Sequence, residues 1–116
     1  MKFKMNGIEY EIKEMAQKEY KQYRREEDEE KGSEITDTLQ GVWHGATHFT
    51  TNFIFIDKSL PKDRKKRVLL HELTHCYIGE YMSHEKEQFT EEDVADVAAN
   101  SHDIVHKIVE DYFKWR

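Results

Sequence analysis

Apolar and polar side chains alternate over residues 2–13, KFKMNGIEYEIK, on either side of Asn6-Gly7. That dipeptide tolerates positive φ and favours a type I′ turn, so two short strands joined as a hairpin are predicted. From Lys13 the period changes. Ile12, Met15, Ala16, Tyr20 and Tyr23 recur at spacings of three and four with charged residues between them, which predicts one amphipathic helix. It runs into the five acids Glu26 to Glu30 and then Lys31-Gly32-Ser33, read as a frayed helix end and loop whose charge run is a solvated surface rather than an acidic docking patch. Residues 40–52 mix Gly, Thr and His without a period and predict a loop or an irregular strand. Asn52 to Asp57, NFIFID, is an uninterrupted run of β-formers, the pattern of a strand buried on both faces and hence the expected centre of the sheet. Leu60-Pro61-Lys62-Asp63 opens a helix with Pro at its first position; it should reach about Tyr81, with Gly79 as a place to break. Thr90, followed by Glu91-Glu92-Asp93, caps a last helix whose apolar positions are Val94, Val97, Ala98, Ile104, Val105, Ile108, Val109 and Phe113. There is no internal repeat and no linker.

Composition narrows the class. With 116 residues the expectation is a single domain spanning 1–116, and a hydrophobic share of 37% allows a core but a small one. Lys and Arg total 18 against 24 Asp and Glu, a net charge of −6, so nucleic acid is not expected as a partner, since phosphate binding draws on concentrated positive charge. Cys76 is the one cysteine and has no disulfide partner within the chain, which suits a reducing cytoplasm. No apolar run approaches a membrane span and Met1-Lys2-Phe3-Lys4 opens no signal sequence, so a cytoplasmic protein with no membrane partner is expected.

The chemistry concentrates in Val68-Leu69-Leu70-His71-Glu72-Leu73-Thr74-His75, which contains H-E-x-x-H. A chain of this composition yields about 0.06 such matches by chance, and this one falls within a predicted helix behind three apolar residues that would bury the helix and fix the ligands. Four residues at ~1.5 Å rise and ~100° each set His71 and His75 on one face, ~6 Å apart along the axis, where both imidazoles converge on one ion. Glu72 lies one step round the helix, poorly placed to join the same ligand shell but able to reach a water held by the metal, as a general base must. Two neutral imidazoles, a carboxylate and an open position favour zinc, Zn2+. The third ligand is sought in the acidic start of the last helix among Glu91, Glu92, Asp93 and Asp96. Glu92 is chosen because Glu92, Ala95, Asp96 and Ala99 share a strip of small residues that lets another helix approach. Asp96, one turn on, is an outer partner or the rival ligand.

HELTH behind Leu69-Leu70, with an apolar strand before it and Glu92-x-x-Ala95-Asp96 after it, resembles the ImmA/IrrE-type zinc metallopeptidases, in particular their short phage and mobile-element members. The similarity covers roughly residues 41–105. It implies His71 and His75 as the paired ligands, Glu72 as general base and Glu92 as the helical glutamate ligand. Asp96-Val97-Ala98-Ala99-Asn100 fits the same short pattern one turn later, so Asp96 stays open. Members of the family are implied to cleave repressors or regulators in bacterial cells, and the DNA-binding domain that some carry has no room here.

Of the remaining histidines, His44 and His48 flank Gly45-Ala46-Thr47 and are read as exposed loop residues before a role in lining the cleft. His102 and His106 repeat the four-residue spacing, but lack an intervening Glu and lie beyond the cleft, so a metal site there is the lesser reading. Tyr77, Tyr81 and His84 are candidates to hydrogen-bond the scissile carbonyl, and the sequence does not choose among them. Cys76 turns away from His75 and is read as a small buried hydrophobe.

The expected fold is therefore α+β and zincin-like: a small sheet holding residues 53–57, packed on an active-site helix, with a C-terminal helix bringing the third ligand. The expected reaction is zinc-dependent hydrolysis of a peptide bond in a protein or peptide substrate, a repressor or other regulator, lying extended between sheet edge and helix. The alternative from another class is a non-catalytic module on the same scaffold that engages a regulator without cutting it. A third, weaker reading has Lys62, Arg64, Lys65, Lys66 and Arg67 touching nucleic acid.

Overall fold

Asn6 and Gly7 both take positive φ, 50° and 79°, so the chain reverses within two residues and sets Met5 opposite Ile8. This is the turn that Asn-Gly predicts. The computed structural model describes residues 1–30, 43–82 and 90–115, with backbone alone over 27–30. Its described elements are β1 (Lys2–Met5), β2 (Ile8–Met15), α1 (Gln17–Glu30), β3 (Gly45–His48), β4 (Phe53–Asp57), α2 (Lys62–Tyr81) and α3 (Glu91–Trp115). The class is α+β: a small sheet and three helices.

The sheet order is β1-β2-β4-β3. β1 pairs with β2 antiparallel, β2 with β4 parallel with Ile12 opposite Ile54, and β3 with β4 antiparallel with Thr47 opposite Ile54. An interior strand with both faces covered needs apolar side chains at every position, and all five residues of β4 are buried. Alternation sends Ile54 and Ile56 to one face, where they join Phe3, Met5, Tyr10 and Ile12 against Leu69, Leu73 and Cys76 of α2. Phe53 and Phe55 go to the other, where the Tyr20 ring of α1 stacks on Phe55 at 3.7 Å between centroids. Side chains this size contribute about 1.5–3 kcal/mol each when fully buried, so β4 holds both layers to the sheet.

α3 packs against α2 and buries Val97, Ser101, Val105, Ile108, Val109 and Tyr112 at helical spacing, the last four joining the core that α2 shares with the sheet. Its start is capped from both directions: Thr90 Oγ1 accepts from the Asp93 amide at 3.1 Å, and the Thr90 amide donates to Asp93 Oδ2 at 2.8 Å. Two polar links close the far ends of the helices on the sheet. At one, Lys65 Nζ lies 2.8 Å from Glu14 Oε1, and the Tyr112 hydroxyl donates to Glu14 Oε2. At the other, Asn6 Nδ2 donates to the Glu80 carbonyl at 2.9 Å while the Tyr10 hydroxyl donates to the Glu80 carboxylate. No helix among the described residues is long and apolar enough to cross a membrane.

Several boundaries differ from the sequence expectation. Residues 13–15 extend β2, because Glu14 and Met15 pair alongside Ile56 and Asp57, and the helix opens only at Gln17. Residues 45–48 form a regular edge strand although their pattern shows none. Pro61 stands just outside α2, with ψ at 158°, and the helix runs unbroken through Gly79, over which the Phe49 ring lies. On α3, Val94, Ala98 and Ile104 are exposed, since the buried stripe follows Val97 and Ser101 instead. α1 continues through Glu30, and Lys31-Gly32-Ser33 fall outside the described residues.

Side chains of Lys65 and Glu14 are only 10% and 17% exposed, so removing one leaves its partner charged and dry. Lys65→Met is expected to lower stability by about 3–5 kcal/mol in urea denaturation. The triple variant Lys65→Met, Glu14→Leu, Tyr112→Phe, which removes all three of these polar partners together, should recover much of that loss.

Candidate active site

α2 is a 20-residue helix whose middle is clamped by the buried Leu69, Leu73 and Cys76, and this fixes where its polar residues point. His71 and His75 stand on the exposed side with their Nε2 atoms 3.1 Å apart and ring planes at 77°. Two imidazole nitrogens each ~2.0–2.1 Å from a tetrahedral zinc are separated by ~3.3 Å, so the pair fits as two ligands of one ion. They border a depression of about 270 Å³ with Leu70, Thr74 and Ile78.

Glu72 turns inward beneath β3 and is 8% exposed. A buried carboxylate needs donors, and Thr47 supplies one: its Oγ1 lies 2.9 Å from Glu72 Oε1 and 3.0 Å from the Glu72 backbone oxygen. Two residues earlier on the same strand face is Gly45. A Cβ there would stand 2.4 Å from Val68 Cγ1 and 3.2 Å from Glu72 Cγ, so only glycine allows β3 to lie this close to α2. The same strand edge, with Trp43, His44, Arg67, Val68, His71 and Glu72, encloses a second depression of about 390 Å³. Glu72 and His71 thus share one cleft floored by the helix and walled by β3.

The candidate residues do not all meet. His71 and His75 stand together beside one depression, and His71 shares a second with Glu72 and His44. Glu92 is exposed in the first turn of α3, and among the described residues no group of three or more His, Cys, Asp or Glu side chains gathers as a metal site. Asp96 borders a different depression with Tyr77, Tyr81 and Asn100. Tyr77 follows His75 by two residues, ~200° round the helix, which places that depression on the far side of α2. Tyr81 accepts a hydrogen bond from the Asn6 amide at 3.0 Å, so neither tyrosine faces Glu72. His48 points to the opposite sheet face, stacked on Phe53 at 4.5 Å and 2.8 Å from the Tyr20 hydroxyl. His84 lies outside the described residues. Cys76 is fully buried, and burial pushes its thiol up to about 12, with the Glu80 charge adding to the effect over an opposing hydrogen bond from Tyr10. It is a protonated core residue. Thr47 and Gly45 went unnoticed in the sequence, because their role exists only once G-A-T-H is a strand and the two share its inner face.

A family model described as Peptidase M78, the IrrE N-terminal-like domain, matches residues 28–101, more than half of the chain. No curated protein and no solved structure matches the chain significantly.

Thr47→Val keeps the shape and removes the donor to Glu72. It is expected to cost about 1–3 kcal/mol in thermal or urea unfolding, with Thr47→Ser restoring most of it. Gly45→Ala should cost a similar amount through forced displacement of Val68 and Glu72.

Proposed function

Because the chain belongs to the Peptidase M78 family of IrrE N-terminal-like domains, a metallopeptidase-type family, we propose that it is a zinc-dependent peptidase on a zincin-like fold that cuts a peptide bond in a regulatory protein. The observation that supports this most is the convergence of the His71 and His75 Nε2 atoms, with His71 sharing one cleft with a buried, hydrogen-bonded Glu72. In this reading His71 and His75 hold the ion. Glu92 takes the third position, on the strength of the Glu-x-x-Ala-Asp pattern it begins.

When bound, zinc supplies Lewis acidity, polarising a carbonyl and bringing the pKa of a water toward ~7. The protein's own groups do the rest. Glu72 accepts the proton of the attacking water at its carboxylate and passes it to the departing amine, while Thr47 holds that carboxylate in one orientation. Among the described residues β3 is an edge strand, so its outer side offers a place for an extended substrate segment, and Gly45 keeps that edge next to Glu72. The substrate is then a protein segment, such as part of a repressor, in the cytoplasm.

A second reading has one observation in its favour. Glu92 is exposed and joins no cluster with the histidines, which suits a module that binds a regulator without cleaving it.

The two separate on one experiment. Zinc content and hydrolysis of a regulator encoded beside the protein are measured for wild type, His71→Ala and Glu72→Gln. The peptidase reading expects Glu72→Gln to keep its zinc and lose about 10²–10⁴ of the rate, and His71→Ala to lose the zinc. Zinc-loaded wild type without any metal-dependent cleavage would leave the binding module. Loss of zinc in Glu92→Gln but not in Asp96→Asn fixes the third ligand; the reverse result moves it one turn.

A further inference from the structure

Two imidazoles stand unused elsewhere on the molecule. His102 and His106 lie one turn apart in the middle of α3, both exposed, with ring centroids 4.1 Å apart and planes at 44°. Apart from each other, neither ring has a hydrogen-bond, ion-pair or ring partner among the described residues. They border a depression of about 410 Å³ whose lining includes Leu70, Thr74, Val97 and Val105 and excludes His71 and His75. The polar groups in it are turned back on their own helices: Thr74 donates to the Leu70 carbonyl at 2.8 Å and Ser101 to the Val97 carbonyl at 2.5 Å. No side chain there competes for the ring nitrogens.

The backbone beneath the pair is held firmly, because Ser101 and Val105 are buried against α2 on the same two turns. Two donors on a fixed turn lose little freedom when they close on one ion. The local charge also favours a cation. Asp103 and Glu110 lie within a turn of the pair, the chain carries −6 overall, and Lys107 is engaged with Asp111 at 3.2 Å. Neutral imidazoles select borderline first-row divalent ions over calcium or magnesium, which take oxygen ligands. No third His, Cys, Asp or Glu joins them among the described residues, so water completes the coordination.

We propose that His102 and His106 form a second site, for a first-row divalent cation such as Ni2+, Cu2+ or Zn2+, separate from His71 and His75. It is a two-imidazole clip that ties successive turns of α3, and it does not depend on the peptidase reading.

Titration calorimetry with nickel chloride on the full chain tests it. His71→Ala/His75→Ala is expected still to take up about one equivalent, and adding His102→Ala/His106→Ala should weaken that uptake by at least about tenfold. Nickel should also raise the Tm of the first variant and leave the second unmoved. Circular dichroism checks that the helices persist, and His102→Gln/His106→Gln repeats the test with a side chain that keeps polarity without the ring. The proposal is overturned if His71→Ala/His75→Ala takes up no nickel, or if removing the α3 pair leaves its uptake and Tm shift unchanged. A wild type that binds only through the α3 pair would sustain this proposal and sink the active-site reading.

Discussion

Burial of β4 on both faces is the constraint from which the rest follows. Five consecutive apolar or paired residues leave that strand no exposed side, so the sheet needs a layer on each face. α1 covers Phe53 and Phe55, and α2 covers Ile54 and Ile56. With Leu69, Leu73 and Cys76 committed to that contact, His71 and His75 have no direction left but outward, and Glu72, between the two directions, slides under the edge of β3. The polarity of each residue in the motif is set by the packing of its neighbours.

That placement has a chemical consequence. A carboxylate in water has many donors and many orientations; one that is 8% exposed beside a threonine hydroxyl has few of either. Holding Glu72 there requires β3 to lie against α2 more closely than any side chain at position 45 would permit. The glycine, the threonine and the glutamate are therefore one device built from two elements, and the histidines complete it from the solvent side. Asp57, at the end of β4, anchors the entry to α2 in a similar way. Burial would raise its carboxyl, but hydrogen bonds from Gln17, the Ser59 amide and the Ser59 hydroxyl outweigh that and lower it.

Much of this was legible in the sequence where a local rule and the tertiary structure agree. Asn6-Gly7 demands positive φ at two residues, Thr90 and Asp93 can satisfy each other across one turn, and an unbroken run such as Phe53 to Ile56 fits only an interior strand. Where the rules conflict, pairing won. Ile12, Met15 and Ala16 have helical spacing, yet β2 continues to Met15 because β4 offers a parallel partner that far. G-A-T-H has no strand signature since it is an edge, half-buried on both sides, with its inner face chosen for closeness to a helix. The buried stripe of α3 departs from Val94, Ala98 and Ile104 for a similar reason: Ser101 is buried between Val97 and Val105, satisfies its hydroxyl on the Val97 carbonyl and is small enough to let the helices approach.

The two histidine pairs show what spacing alone does not decide. Both are four residues apart on a long helix, both are exposed, and both have rings within 5 Å of each other, at 4.7 Å and 4.1 Å. They differ in what lies one step away. After His71 comes Glu72, drawn inward by Thr47 at the base of a cleft with a backbone edge above it. After His102 comes Asp103, which is exposed. Metal affinity needs only donors within reach of one ion, and both pairs have the ring spacing for that. Hydrolysis also needs a base held in one position, and among the described residues only the α2 pair has a buried, hydrogen-bonded carboxylate next to it in the chain. In the proposed function the intervening glutamate of H-E-x-x-H therefore gains its meaning from the strand laid over it, whereas the same spacing in α3 is proposed to hold an ion with no such base beside it.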